Sequence, residues 1–321
     1  MVKQKFLTEG IPRLKYADGS KTANNAGTAM KPEARLQRSN QVHVESCYQP
    51  ATMNDTIDSA HALISRRCVN NCLFCATADK RTNREFPARD DIKRFIRKSH
   101  QTAVANMIFS GLGEPTLDPS FEDYLEVAGG LGFDTIRVFT NGYALTVEKA
   151  SRWKKLGLTD VLLSIHGMES GHDASVRRSG AFNDVIRALQ IYSQLDFIIS
   201  INSCLTRKNL KEIRALVDFI STYPVRIHTL TFPEWSGNAL KFHEDLVGYE
   251  ELSAQALSLI PSGDNRTFFD NVPYCLVEMK TVELRGKGTV AYLDGKGESA
   301  LRPNDSKLFH RYCHNGNCKF M

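Results

Sequence analysis

The chain has 321 residues, 42% of them hydrophobic, and a net charge of +5. That apolar content is enough for one barrel-sized domain with extensions. The mild basicity suits a phosphate-bearing or acidic substrate, but no dense Lys/Arg run with interleaved aromatics appears, which argues against nucleic acid. Met1-Val2-Lys3-Gln4-Lys5-Phe6 lacks the apolar core of a secretory signal, and no apolar run reaches membrane-spanning length. A cytoplasmic protein with no membrane partner is therefore expected. Eight cysteines in such a chain point to metal ligation in a reducing compartment, not to disulfides.

Residues 1–60 are polar and punctuated by Gly10, Pro12, Gly19, Asn24-Asn25, Gly27 and Pro32. They read as an N-terminal extension over the main domain, or more sharply as a substrate lid, with Cys47 a spare thiol. From Ala62, strand and helix signals alternate. Strands are predicted at His61–Ser65, Asn106–Ser110, Thr135–Thr140, Asp160–Ile165, Phe197–Asn202 and Arg226–Phe232. Between them, Ile92, Phe95 and Ile96 share a helical face. So do Phe182, Val185, Ile186, Leu189 and Tyr192, and again Leu210, Ile213, Val217 and Ile220. Pro119 is expected to open the second helix, with Asp118 as its N-cap. Six such repeats imply a parallel α/β sheet with right-handed crossovers over residues 61–240, too few to close an eight-fold barrel. Residues 241–321 change character. A helical stretch, Leu252–Ile260, is followed by a hairpin-like Thr281–Leu293 with Gly286 and Gly288 near its turn.

The stretch Arg66-Arg67-Cys68-Val69-Asn70-Asn71-Cys72-Leu73-Phe74-Cys75 follows the first strand. Its C-x₃-C-x₂-C spacing can fold three thiolates around one soft metal centre, one ligand short of the four a cubane cluster usually takes. A zinc site or buried structural thiols are the competing readings. Phe74 fits a loop packed against something planar. After the second strand comes Phe109-Ser110-Gly111-Leu112-Gly113-Glu114-Pro115-Thr116. Glycines there allow close approach of a ligand, and a carboxylate beside them can accept an ammonium; a turn that merely needs glycine is the alternative. Strands three, four and five end at Asn141-Gly142, at Ser164-Ile165-His166 and at Asn202-Ser203-Cys204. In a parallel α/β fold these ends carry the chemistry. Ser164 and His166 share a face by alternation, and Cys204 reads as buried and inert. The sixth strand runs into Glu234-Trp235, which either line an entry or pack beneath the C-terminal region.

The C-x₃-C-x-aromatic-C loop after an early strand, with the glycine–glutamate turn in register after the second, resembles the radical S-adenosylmethionine (SAM) enzymes over residues 60–235. The resemblance implies a (βα)₆ partial TIM-type barrel. It implies a [4Fe–4S] cluster on Cys68, Cys72 and Cys75 whose open iron is chelated by SAM. An electron from that cluster then cleaves SAM to methionine and a 5′-deoxyadenosyl radical. Gly111, Gly113 and Glu114 correspond to the turn that holds the SAM amino group, although Leu112 separates the two glycines. Ser164 and Asn202 correspond to polar strand-end contacts to SAM, and Asn141 and His166 to contacts to SAM or substrate, with a plain Asn-Gly turn and a structural histidine as the competing readings. Arg177 or Arg178 corresponds to a basic partner of the SAM carboxylate, or else to a solvated helix start. An electron donor such as flavodoxin or ferredoxin is implied. Cys275, Cys313 and Cys318 resemble the auxiliary-cluster extensions of radical SAM peptide- and natural-product-modifying enzymes. They would hold a second Fe–S cluster with His310, which stands where a further cysteine usually does, with a cysteine from afar or with an open iron; zinc or no metal is the alternative. The extension favours a peptide or small-molecule natural-product precursor as substrate. An RNA-modifying relative, or a non-catalytic metal or electron-transfer protein, is the alternative.

Overall fold

A computed structural model describes residues 57–81, 86–248, 251–252, 255, 258–262, 264–270, 288–293 and 299–304. The expectations for residues 1–56, Cys47 included, lie outside them. In chain order come β1 (Ile57–Leu63), α1 (Arg89–Gln101), β2 (Asn106–Ser110), α2 (Phe121–Leu131), β3 (Thr135–Thr140) and α3 (Val147–Lys155). They are followed by β4 (Asp160–Ser164), α4 (Glu169–Val176), α5 (Ala181–Gln194), β5 (Ile198–Cys204), α6 (Ile213–Ile220), β6 (Val225–Thr231) and the short α7 (Asn238–Lys241). Last are β7 (Thr267–Asp270), β8 (Gly288–Leu293) and β9 (Ser299–Asn304).

The alternation of residue types in β3 shows why these segments form a covered sheet. Ile136 and Val138 join a core that includes Tyr124 and Leu125 of α2, while Arg137 on the opposite face pairs with Asp160 at 2.8 Å. The helical periods hold: α1 buries Ile92, Phe95 and Ile96, and α5 buries Val185, Leu189 and Tyr192. The strands β1 to β7 are parallel and lie in sequence order, and the sheet stays open. This is the partial barrel that the sequence implies, with one strand more. β7, only Thr-Phe-Phe-Asp long, carries too few residues to register a period.

Two further expectations are corrected. Beyond β1 the edge continues with β8, parallel to β1, and β9, antiparallel to β8. The hairpin thus pairs Gly288–Leu293 with Ser299–Asn304, and Gly288 opens a strand instead of lying near a turn. The second helix begins at Phe121, not Pro119. Asp118 instead accepts the Ser120 N–H at 2.8 Å, making the turn that leads into the helix. No helix among the described residues is long and apolar enough to cross a membrane.

Candidate metal and cofactor site

The cysteine loop leaves the C-terminal end of β1 and is fastened on three sides. Toward β2, Ile64 N donates to Ser110 O at 2.8 Å, and the loop then accepts from Gly113 N at Ser65 O (3.0 Å) and from Glu114 N at Arg67 O (2.6 Å). Toward α4, Asn71 N and Leu73 N donate to Val176 O and Ser175 O at 3.0 and 2.9 Å. From α7, Asn238 N donates to Cys75 O at 2.9 Å, and its side-chain amide donates to Asn71 Oδ1 and Cys72 O at 2.8 and 2.9 Å. Arg81 closes the loop by donating from Nε to Leu112 O (2.8 Å) and from Nη1 to Asn70 O (3.2 Å). An irregular segment so fully hydrogen-bonded is held in one conformation.

Cys68, Cys72 and Cys75 are free thiols, half-exposed on this loop. Cys75 Sγ accepts from Arg81 Nη2 at 2.9 Å, and Cys68 Sγ lies 3.7 Å from Asn141 Nδ2 at the end of β3. Burial pushes the Cys68 thiol up; the Arg81 cation pulls it down and the Glu114 charge adds to the rise. Burial raises Cys72 as well, and the other two thiols add to it. Among the described residues no three His, Cys, Asp or Glu side chains are gathered as a single-ion site. A four-iron cluster takes each thiolate on a different iron, so its ligands need only surround a common space.

Gly111 and Gly113 are needed for a different contact than the sequence suggests. A Cβ on Gly111 would come within 2.8 Å of Ser65 O, and one on Gly113 within 2.1 Å of Arg67 O. Both glycines let the β2 turn lie against the cysteine loop itself. Glu114 is 3% exposed and internally bonded. Its Oε1 accepts from Thr140 Oγ1 (2.6 Å), Thr116 Oγ1 (2.8 Å) and Thr116 N (3.3 Å), and its Oε2 accepts from Asn141 N (2.7 Å). Burial pushes this carboxyl up, against the pull of those hydrogen bonds. The residue ties the β2 turn to the end of β3. A carboxylate has about four acceptor positions, so Oε2 retains one.

Across the opening, Phe74 meets the His166 ring edge-on at 4.5 Å. His166 Nδ1 accepts the Cys204 N–H at 3.0 Å, and His172 Nδ1 accepts the His166 N–H at 3.0 Å. Both rings therefore carry their proton on Nε2. Burial, then the neighbouring His172, hold His166 well below the usual imidazole range. Burial brings His172 from its usual 6.5 down to about 4. Ser164 and Asn202 are register partners in β4 and β5, both half-exposed, and Asn202 Oδ1 accepts from Thr231 Oγ1. Cys204 is buried with its thiol pushed well up, in keeping with an inert role. Trp235 is 54% exposed.

The two consecutive arginines part company. Arg177 ends α4 in the left-handed region (φ 56°), and its guanidinium lies over the Phe242 ring at 4.4 Å. Arg178 turns inward. Its Nε donates to Asn70 Oδ1 at 2.7 Å, its Nη1 pairs with Asp184 at 2.8 Å, and it lies over Tyr143 at 5.3 Å. Its Nη2 is buried without a partner, as is Ser110 Oγ beside the glycine turn. Three free thiols on one loop fit a thiolate-ligated cluster, and the orphaned N–H of a guanidinium bonded to Asn70 of that loop fits the carboxylate of a cluster-bound ligand. Cys275, His310, Cys313 and Cys318 lie outside the described residues. Sequence reasoning missed Arg81 and Asn238. Asn238 reaches the loop from far along the chain, which no local spacing signals. Arg81 stands just past the last cysteine, a proximity that could have drawn notice.

An open parallel α/β sheet with a three-thiol loop at the end of its first strand, braced by a glycine–glutamate turn from the second, is a partial barrel with a thiol site at its strand ends. Residues 63–220 match the family model described as the Radical SAM superfamily, and the chain belongs to that superfamily of enzymes. Among similar curated proteins, Fe-coproporphyrin III synthase of Methanosarcina barkeri is 23% identical over 231 residues, 72% of this chain and 56% of that protein. PqqA peptide cyclase of Bradyrhizobium diazoefficiens is 26% identical over 159 residues, 48% of this chain and 40% of that protein. The chain thus spans about half the length of the curated relatives it matches. Among solved structures, Streptococcus suis SuiB bound to precursor peptide SuiA superposes with a TM-score of 0.60 at 15% identity, covering 88% of this chain and 66% of that one. At that identity the likeness speaks for the fold.

Proposed function

We propose that this chain cleaves SAM reductively at a [4Fe–4S] cluster on Cys68, Cys72 and Cys75. The resulting 5′-deoxyadenosyl radical would take hydrogen from an unreactive C–H bond of a peptide or natural-product precursor. The observation that carries the reading is the clamped three-thiol loop facing the ends of β3 to β5, with Asn141 Nδ2 3.7 Å from Cys68 Sγ. When bound, the cluster supplies the electron that breaks the S–C5′ bond of SAM. The chain's residues supply position and exclusion of water. Arg178 Nη2, not the Phe242-stacked Arg177, takes the SAM carboxylate, and the remaining acceptor position on Glu114 Oε2 takes the ammonium. The neutral His166 offers a fixed Nε2–H donor beside Phe74, and Ser164 and Asn202 offer hydrogen bonds at the rim. The backbone at Gly111 and Gly113 keeps the β2 turn close enough for these contacts.

The peptide reading draws support from the names of relatives, PqqA peptide cyclase and the SuiB complex with its precursor peptide. The competing small-molecule reading rests on the longer match to Fe-coproporphyrin III synthase. Cys275, Cys313 and Cys318, with His310, would hold a second Fe–S cluster, and flavodoxin or ferredoxin would supply electrons in a reducing cytoplasm. Anaerobically reconstituted, dithionite-reduced protein should form 5′-deoxyadenosine from SAM, and replacing the three loop cysteines by alanine should abolish it. Undiminished product from that triple variant would contradict the assignment. Faster turnover with a cognate precursor peptide than with a tetrapyrrole precursor of an iron porphyrin separates the substrate classes.

A further inference from the structure

Arg81 is a cation whose guanidinium touches a thiol of the triad. Its Nη2 donates to Cys75 Sγ at 2.9 Å, while Nε and Nη1 are pinned on Leu112 O and Asn70 O at 2.8 and 3.2 Å. The fork therefore has little freedom to turn away from the sulfur. Among the described residues no carboxylate pairs with Arg81. It lines, with Arg66 and Arg67, a cavity of about 390 Å³ in which Asp118 is the acidic lining residue. The flank of the loop at Cys75 is thus positive. On the other flank Glu114 carries a carboxylate near Cys68.

We infer that Arg81 is a positioning residue that sets the reduction potential of the cluster, holding it up by one charge-assisted hydrogen bond to the Cys75 thiolate. The inference rests on the cluster assignment proposed above. Reduction adds one negative charge to a thiolate-ligated centre. A fixed cation and an N–H at a ligand sulfur stabilise the reduced form more than the oxidised one, so the potential rises. The electron comes from a low-potential one-electron carrier, which is oxidised by one electron; no proton moves and no bond to Arg81 breaks.

The test is a redox titration of the full-length reconstituted protein, monitored by EPR through the signal that changes when SAM is added. Arg81→Met removes charge and donor, Arg81→Gln keeps a donor without charge, and Arg81→Lys keeps the charge without the fork. The midpoint, read on the cluster each variant retains, should fall most in Arg81→Met, less in Arg81→Gln and least in Arg81→Lys. Unchanged midpoints in Arg81→Met and Arg81→Gln, with the SAM-responsive signal present, would overturn this inference alone. Loss of iron in all three variants would overturn it too and assign Arg81 to folding the loop. A wild-type protein without any SAM-responsive signal would overturn the cluster assignment and this inference with it.

Discussion

Two regions meet at the C-terminal end of the sheet, and they differ in how far their polar groups are already satisfied. Around the cysteine loop, N–H groups of the turn after β2 and of α7 donate to the loop, α4 carbonyls accept from it, and Glu114 is buried with four donors on its two oxygens. Along the rim of β4 to β6, Ser164, Asn202, Thr229 and Thr231 stay half-exposed, and Trp235 stands 54% in solvent. The first region is a preformed cradle, whose order is fixed before anything binds. The second keeps hydrogen-bonding capacity for a ligand. A chemistry shared by a superfamily belongs in the rigid part, and the rim is left to contact the outer parts of SAM and the particular substrate.

Substitutions can break that contrast. The largest effect should come from Gly113→Ala. Its Cβ would sit 2.1 Å from Arg67 O and 2.6 Å from the carbonyl carbons of Arg66 and Arg67, all backbone that cannot move aside cheaply. We expect a destabilisation on the order of 3 kcal/mol and near-complete loss of the iron that depends on Cys68, Cys72 and Cys75; wild-type iron content in this variant would show that the loop is not so tightly fixed.

Acidification should come next. His61, His172 and His228 are buried and held below their usual 6.5, to about 3, 4 and 3. Below pH 6.5 the unfolded chain binds protons that the folded chain refuses. Stability is therefore full above about pH 6.5 and falls as pH drops toward 4, by up to about 1.4 kcal/mol per pH unit for each histidine. Urea midpoints at pH 7.5 and 5.5 check the sign, and a higher midpoint at pH 5.5 would refute it.

Glu114→Gln sharpens the comparison further. Both Glu114 oxygens receive donors, so either orientation of the amide orphans at least one of them, at a cost of about 1–3 kcal/mol. SAM affinity should also fall, by roughly tenfold or more. Thr140→Val, which removes one strut only, serves as the control: equal losses of SAM affinity in the two variants would reduce Glu114 to a brace. Asn238→Ala deletes two side-chain hydrogen bonds to the loop and should cost about 1–2 kcal/mol with slower iron uptake. An unchanged melting temperature would mean that α7 does not hold the loop. The smallest effect should be Ser164→Ala on the rim, with stability unchanged within about 0.5 kcal/mol and a several-fold rise in the SAM dissociation constant. A large fall in stability would place Ser164 in the cradle.

What the sequence made legible follows the range of the interactions. The cysteine triad, the strand–helix alternation and the faces of α1, α5 and α6 rest on spacings within one element, so they could be read directly. The glycine–glutamate turn was legible as a motif, but not its partners: the atoms that exclude a Cβ belong to Ser65 and Arg67 on another loop. The choice between Arg177 and Arg178 depends on a left-handed residue that sends consecutive side chains apart. Asn238 is invisible to any local rule because α7 meets the cysteine loop only after six strands are in place. β7 is too short to announce itself.

The central claim is that the loop at Cys68, Cys72 and Cys75 cradles a four-iron cluster. The most direct measurement is the difference in iron and acid-labile sulfide between the reconstituted wild type and the Cys68/Cys72/Cys75→Ala triple variant. We expect the triple variant to lose about four irons and about four sulfides per chain, and to retain whatever a second cluster holds. A loss of a single metal ion without sulfide, or of zinc, would contradict the claim.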